Sequence, residues 1–305
     1  MKIGFVSAIL DGSSFEETIE VASKYGFSCV EIACWPAGRT ERRYAGVSHI
    51  NVDGLTDERA AAIRALCEKR GISISALAFY SNPMDSDAER RTSAVLHLEK
   101  VMRASAKLGV NMVTTFVGRD QRRNIDENLE LFRDIWPPII AKAEKLGVRI
   151  AVENCPVLFG PDQWPGGQNM FTTPKIWRKL FDIIPSRNFG INYDPSHFVW
   201  QMMDYLLPLY EFRHRIFHVH LKDARLYPDR LRDAGITAYP LEFMSHKLPG
   251  LGDVNWGAFV SALNDIGYDG PACIEVEDRA YEGSRERILQ SLRLSKRYLS
   301  QFIEY

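Results

Sequence analysis

Short β-branched apolar runs alternate with longer stretches whose apolar residues recur every three or four positions, and the alternation continues from one end of the chain to the other. The short runs read as strands: KIGFVSA (2–8), FSCVEIAC (27–34), ISISALAF (72–79), VNMVTTFV (110–117), VRIAVEN (148–154), NFGINYD (188–194), RIFHVHLKD (215–223) and PACIEVE (271–277). The longer stretches, among them SFEETIEVASKYG, TDERAAAIRALCEKRG, HLEKVMRASAKLG and ENLELFRDIWPPIIAKAEKLG, read as amphipathic helices. Several end in the glycine expected just past a helix C-terminus, and each K-x-G ending leads into an apolar strand. The strand-and-helix unit recurs about every 35 residues, and no Gly/Ser linker, charge block or low-complexity tract divides the chain. The pattern predicts the α/β class and a single (β/α)8 TIM barrel over residues 1–305 rather than two domains.

In such a barrel the working residues sit where strands run into the loops that follow them. Strand five ends in Glu153, strand six delivers Asp194 and His197, strand seven carries His218 and His220, and strand eight brings Glu275 and Glu277. Residues two apart on a strand point the same way, so His218 and His220 both face the barrel interior. His220, nearer the rim, reads as a metal ligand and His218 as a core residue one layer below. Carboxylates and one imidazole make a hard-to-borderline donor set, suited to an octahedral Mn²⁺, Mg²⁺ or Co²⁺ with positions left for substrate oxygens, and less comfortable for Zn²⁺.

Composition narrows the partners. Lys plus Arg number 38 against 39 Asp plus Glu, which leaves no electrostatic footprint for a polyanion and argues against nucleic acid. The five cysteines are scattered without a C-x-x-C pair, which argues against a disulfide framework or a zinc knuckle. The opening MKIGFVSAILDGSS is broken by Asp11 and Gly12, and no later segment is apolar enough to span a bilayer, so the expected setting is cytoplasmic, away from membranes.

The motifs VEN, DPSH, HVHLKD, PGLGDVNW and IEVED, with GFSCVEI before them, resemble the sugar isomerase/epimerase superfamily of xylose-isomerase-like barrels, which also includes endonuclease IV. The resemblance runs over most of the chain. It implies one divalent ion, Mn²⁺ as the leading choice ahead of Mg²⁺, Co²⁺ or Zn²⁺, held by Glu153, Asp194, His220 and Glu275 in a tagatose-3-epimerase-like or inosose-isomerase-like site. It also implies His197 and Arg225 as substrate contacts and Glu153 and Glu275 as the acid/base pair. Endonuclease IV needs further histidines after strands three and four, where this chain reads LAFYSNP and TTFVGRD, so phosphodiester cleavage is disfavoured. The chemistry points the same way: proton transfer beside a carbonyl passes through an enediolate, which a divalent ion stabilises, and two carboxylates can remove and return the proton.

Two long loops, 155–171 and 224–252, lie on the presumed catalytic face. Trp164 in the first reads as a plate closing over substrate or as a loop anchor, Trp35 as a sugar-stacking or packing residue, and His246 as a substrate-side or solvated histidine. Glu31 reads as an inward group for a hydroxyl or a basic partner. PGLGDVNW could suggest a phosphate cradle, but Asp253 is placed to cap the next helix and an unphosphorylated substrate is favoured. Cys155 has no paired base in the sequence pattern and reads as a small buried side chain. The expected function is a metal-dependent isomerase or epimerase of a small sugar or polyol, and the sequence leaves the assembly open between a single chain and a homo-oligomer. Its rivals are a lyase-like deglycosylase of oxidised glycosides with a partner subunit, and a barrel that binds a sugar without turning it over.

Overall fold

The computed structural model describes residues 1–36, 45–158 and 166–304. Eight parallel strands close a barrel in the order β1-β10-β7-β6-β5-β4-β3-β2: β1 (Lys2–Val6), β2 (Cys29–Ala33), β3 (Ser73–Phe79), β4 (Met112–Thr115), β5 (Arg149–Glu153), β6 (Phe189–Tyr193), β7 (Ile216–Leu221) and β10 (Pro271–Ile274). Each coincides with an apolar run of the sequence, trimmed at its ends. The trimming moves Glu275 and Glu277 just past β10.

Around the barrel run α1 (Phe15–Lys24), α2 (Asp57–Arg70), α3 (Ala88–Leu108), α4 (Ile125–Lys145), α5 (Pro174–Ile183), α9 (Trp256–Asp265) and α10 (Arg285–Leu299). All seven start on an Ser, Thr, Asp or Asn whose side chain accepts a backbone N–H of the first turn: Ser14, Thr56, Asp87, Asn124, Thr173, Asn255 and Ser284. Gly71 and Gly109 close α2 and α3 in the left-handed conformation that the K-x-G and K-L-G endings anticipate. The main core lies between sheet and helices, with Phe132, Trp136, Phe171, Trp177, Phe181 and Phe189 in one continuous aromatic run. Truncating Trp177, which is fully buried, removes about 3–5 kcal/mol of that packing. Among the described residues no helix is long and apolar enough to cross a membrane.

Between β7 and β10 the chain departs from the simple repeat. The segment expected as a loop over 224–252 contains an antiparallel pair, β8 (Asp223–Leu226) with β9 (Met244–Lys247), and α8 (Pro228–Ala234) between them. After β6 come two short helices, α6 (Ser196–Val199) and α7 (Leu207–Glu211). Asp253 does not cap α9: Asn255 does, and Asp253 instead accepts the Leu226 N–H at 2.8 Å.

Candidate metal centre

The carboxyl ends of β5, β6, β7 and β10 bring Glu153, Asp194, His220 and Glu275 together, with one donor atom from each within 4.8 Å of the others. His220 Nδ1 lies 3.3 Å from Glu153 Oε1 and 3.2 Å from Glu275 Oε2. The opposite ring nitrogen is committed elsewhere, because Nε2–H donates to Glu31 Oε2 at 2.8 Å. Glu31 also accepts from the Tyr80 hydroxyl at 2.6 Å and from Thr114 Oγ1 at 2.9 Å. Burial pushes the Glu31 carboxyl up, but the two histidines beside it outweigh burial and hold it ionised. Burial opposes a charge on the His220 ring, but Glu31, Glu275 and Glu153 raise its pKa well above the ordinary histidine value, so Nδ1 would give up a proton where it ligates an ion.

Of the two roles read for Glu31, a hydroxyl or a basic partner, the structure gives the basic partner: the carboxylate is fully buried behind His220. His218 lies in the layer expected for it, bonded to Asn192 Oδ1 at 3.0 Å and Ser75 Oγ at 3.1 Å. Arg225, on β8, is exposed, with its guanidinium 5.8 Å from the Tyr227 ring, and is not among the cavity-lining residues. His197, Trp35 and His246 do line the cavity, whereas Trp164 lies outside the described residues. Cys155 has the neighbour its sequence context did not reveal, because its thiol lies within 4.8 Å of Glu153 and His197 donor atoms.

Lys222 is the residue the motif reading passed over. It follows His220 by two on the same strand parity, is 1% exposed, and extends its ammonium to 2.7 Å from Glu275 Oε2, 3.1 Å from Asp194 Oδ2, 3.1 Å from Glu277 Oε2 and 3.8 Å from Glu153 Oε1. Parity was the available signal. Burial opposes its charge, but Asp194 and the three glutamates hold the proton on and raise its pKa well above the ordinary lysine value. Burial likewise pushes Glu153 and Glu275 up, and the nearby cations overturn it: His220 and Lys222 hold Glu153 far below the usual carboxylate range, and Lys222 holds Glu275 at about 2. Asp194 goes the other way, with burial raising it against the pull of Lys222 and His197.

The donor set fits a divalent cation. Asp194 Oδ2 and Glu275 Oε2 are buried without a hydrogen bond, and the Lys222 ammonium lies 3.1 Å from the first and 2.7 Å from the second. Three carboxylates and one imidazole are the donor types that a hard-to-borderline divalent ion takes.

Above the centre opens a cavity of about 1100 Å³. Its floor is Glu153, His197, Lys222, His246, Glu275 and Glu277, and its walls include Trp35, Tyr80, Phe116, Trp200 and Met244. The glycine-rich PGLGDVNW turn offers no phosphate cradle. The N–H groups of Gly250 and Val254 and the indole N–H of Trp256 already donate to Asp223 at 3.0, 3.0 and 2.8 Å, and a side chain on Gly252 would strike that carboxylate.

A family profile described as "Xylose isomerase-like TIM barrel" matches residues 19–298. An inosose dehydratase of Geobacillus thermodenitrificans is 25% identical over 246 residues, covering 78% of this chain and 80% of that protein. In fold, the chain is similar to the IolI protein solved with a bound zinc atom, with a TM-score of 0.73 at 19% identity over 100% of both chains. It is also similar to the D-psicose 3-epimerase of Clostridium cellulolyticum H10 solved with D-tagatose, with a TM-score of 0.68 at 16% identity over 100% of both.

Proposed function

Because the chain belongs to the xylose isomerase-like TIM-barrel family, we propose that it is a divalent-metal-dependent isomerase or epimerase that moves a proton on the carbon next to a carbonyl in a small sugar, keto-sugar or inosose. One observation carries the reading: donor atoms of Glu153, Asp194, His220 and Glu275 converge within 4.8 Å of one another, and Glu153 and Glu275 also line the cavity. Glu153, Asp194, His220 and Glu275 would hold the ion, Mn²⁺ by the hardness of the donors, and when bound it would supply positive charge beside oxygens on which negative charge develops. The chain's own residues do the rest. Glu153 and Glu275 reach the centre from strands separated by β6 and β7, so that one can take the proton and the other return it from another direction. Their depressed pKa values keep both ionised. The His197 imidazole faces the same floor and can bind a substrate oxygen. Trp35, half-buried and edge-on to Phe79 at 5.0 Å, offers a sugar-stacking face.

The test is solvent exchange. Incubated in D₂O with Mn²⁺ and a panel of ketoses and ketocyclitols, the enzyme is expected to place deuterium beside the carbonyl of at least one member, read by mass spectrometry and NMR. Glu153→Gln and Glu275→Gln are each expected to lower turnover by orders of magnitude, and the double variant to abolish exchange. No exchange across the panel with folded, metal-loaded protein would overturn the proposal.

Lys222 favours a second reading on the same site. Its ammonium, 2.7 Å from Glu275, can donate a proton to a hydroxyl departing from the neighbouring carbon, which turns proton abstraction into loss of water and accords with the inosose dehydratase relative. The same incubation separates the two, because elimination yields a dehydrated, ultraviolet-absorbing product and isomerisation conserves mass apart from the label.

A further inference from the structure

We propose that Asn154 is a positioning residue: its side-chain amide grips the backbone of Asp194 on the neighbouring strand end and holds that carboxylate in place beside Glu153. Asn154 Nδ2–H donates to the Asp194 carbonyl at 2.9 Å, and Asn154 Oδ1 accepts the Asp194 N–H at 2.8 Å. A backbone N–H can only donate and a carbonyl can only accept, so the two bonds fix which way round the amide sits. Both residues are fully buried, where losing either bond strands a polar group.

The grip extends the sheet by a side chain where the backbone pairing stops. β5 and β6 pair from Ile150 with Phe189 to Glu153 with Asn192, and β6 ends at Tyr193. Asp194 is the next residue, and Pro195 behind it biases Asp194 away from helical backbone. The Ser196 N–H donates to Asp194 Oδ1 at 2.8 Å. The N–H, the carbonyl and Oδ1 of Asp194 are all taken, which leaves Oδ2 as the atom without a hydrogen bond, 3.1 Å from the Lys222 ammonium. Asn154 directly follows Glu153 in the chain, so a single residue ties together two ligand candidates from adjacent strands. The affinity of such a set depends on how well its donors are held before an ion arrives, and groups behind the ligands supply that hold.

The inference rests on the reading of Asp194 as a ligand, and the test tells the two apart. Mn²⁺ affinity is measured by calorimetry in a double-mutant cycle of Asn154→Ala and Asp194→Asn. In the wild-type background Asn154→Ala is expected to weaken binding about ten- to a hundredfold. In the Asp194→Asn background it is expected to change binding by less than about twofold, because the carboxylate it places is gone. An equal loss in both backgrounds would mean a general loosening of the barrel and would refute the positioning role. Loss in Asp194→Asn beside unchanged binding in Asn154→Ala would overturn the inference alone, whereas unchanged binding in Asp194→Asn would sink the ligand reading and the inference with it. A second arm needs no variant. In isotope-labelled, metal-free wild type, scalar couplings across hydrogen bonds are expected from the Asn154 side-chain nitrogen to the Asp194 carbonyl carbon, and from the Asp194 amide nitrogen to the Asn154 carboxamide carbon. Their absence, with both residues assigned, would overturn the proposal whether or not Asn154→Ala folds.

Discussion

At the scale of single residues, the candidate ligands are legible in the sequence because each lies at or just past the end of a strand whose apolar run announces it, as VEN does for Glu153 and HVH for His220. What the sequence hides is pairing across the barrel. Glu31 and His220 are 189 positions apart, and only closure of the sheet brings them to 2.8 Å. Lys222 was hidden by its chemistry, since an isolated lysine in a motif reads as solvated until four carboxylates surround it. That arrangement has a measurable consequence, because an ammonium and a divalent ion compete for the same oxygens of Asp194 and Glu275. Lys222→Met removes the competitor and leaves the carboxylates uncompensated when no metal is present. Metal-free protein is expected to melt at least several degrees lower than wild type, the deficit is expected to shrink on metal addition, and Mn²⁺ affinity measured by calorimetry is expected to rise roughly tenfold or more, worth about 1.4 kcal/mol. Unchanged affinity would mean that the ammonium does not occupy the ion's place.

At the scale of elements, the eight barrel strands and the long helices follow from periodicity, while β8 and β9 do not. DARL and MSHK are four residues each, too short and too polar to show alternation, and they pair only because Asp223 anchors the turn that follows. The buried Asp223 carboxylate accepts from the N–H groups of Ala224, Gly250 and Val254 and from the Trp256 indole. It is the internal substitute for the phosphate that a glycine-rich loop suggests. Asp223→Ala strands these donors in the interior, each at a cost of about 1–3 kcal/mol before relaxation. A net loss of roughly 3 kcal/mol or more is expected from denaturant unfolding, together with weakened seating of His246 and Trp200 at the cavity. Asp223→Asn, which keeps an acceptor, is expected to fall between. A loss below about 1 kcal/mol in the alanine variant would show that the β8–β9 pair is held by its apolar cluster alone.

At the scale of the whole molecule, the barrel is what makes a low-affinity set of side chains into a centre. Its four ligand candidates come from strands spread between residues 149 and 274 and from the loops just past them, so the unfolded chain holds no comparable site and ion binding is coupled to folding. The closed topology was legible because each strand is buried on both faces and therefore appears as an unbroken apolar run. The depth of the centre was not, since it depends on how far each strand end projects past its neighbours. At a free Mn²⁺ concentration about 100 times the dissociation constant, the ion is expected to add about 2.7 kcal/mol, which for a chain of this size raises the melting midpoint by roughly 5 °C over chelator-treated protein. Chelated protein is still expected to fold, because Lys222 neutralises part of the cluster. The increment depends on pH in a defined direction. Ligation needs ionised carboxylates, and burial raises the Asp194 pKa while Glu153 and Glu275 are depressed. Asp194 is therefore the first of the three to take a proton as pH falls. The Mn²⁺-dependent shift is expected to shrink on acidification, as the His220 ring, whose pKa the surrounding carboxylates raise, and Asp194 take protons before either glutamate titrates. In Asp194→Asn the shift is expected to be small at every pH. A full, pH-independent shift in that variant, followed by calorimetry with and without chelator, would remove Asp194 from the ligand set.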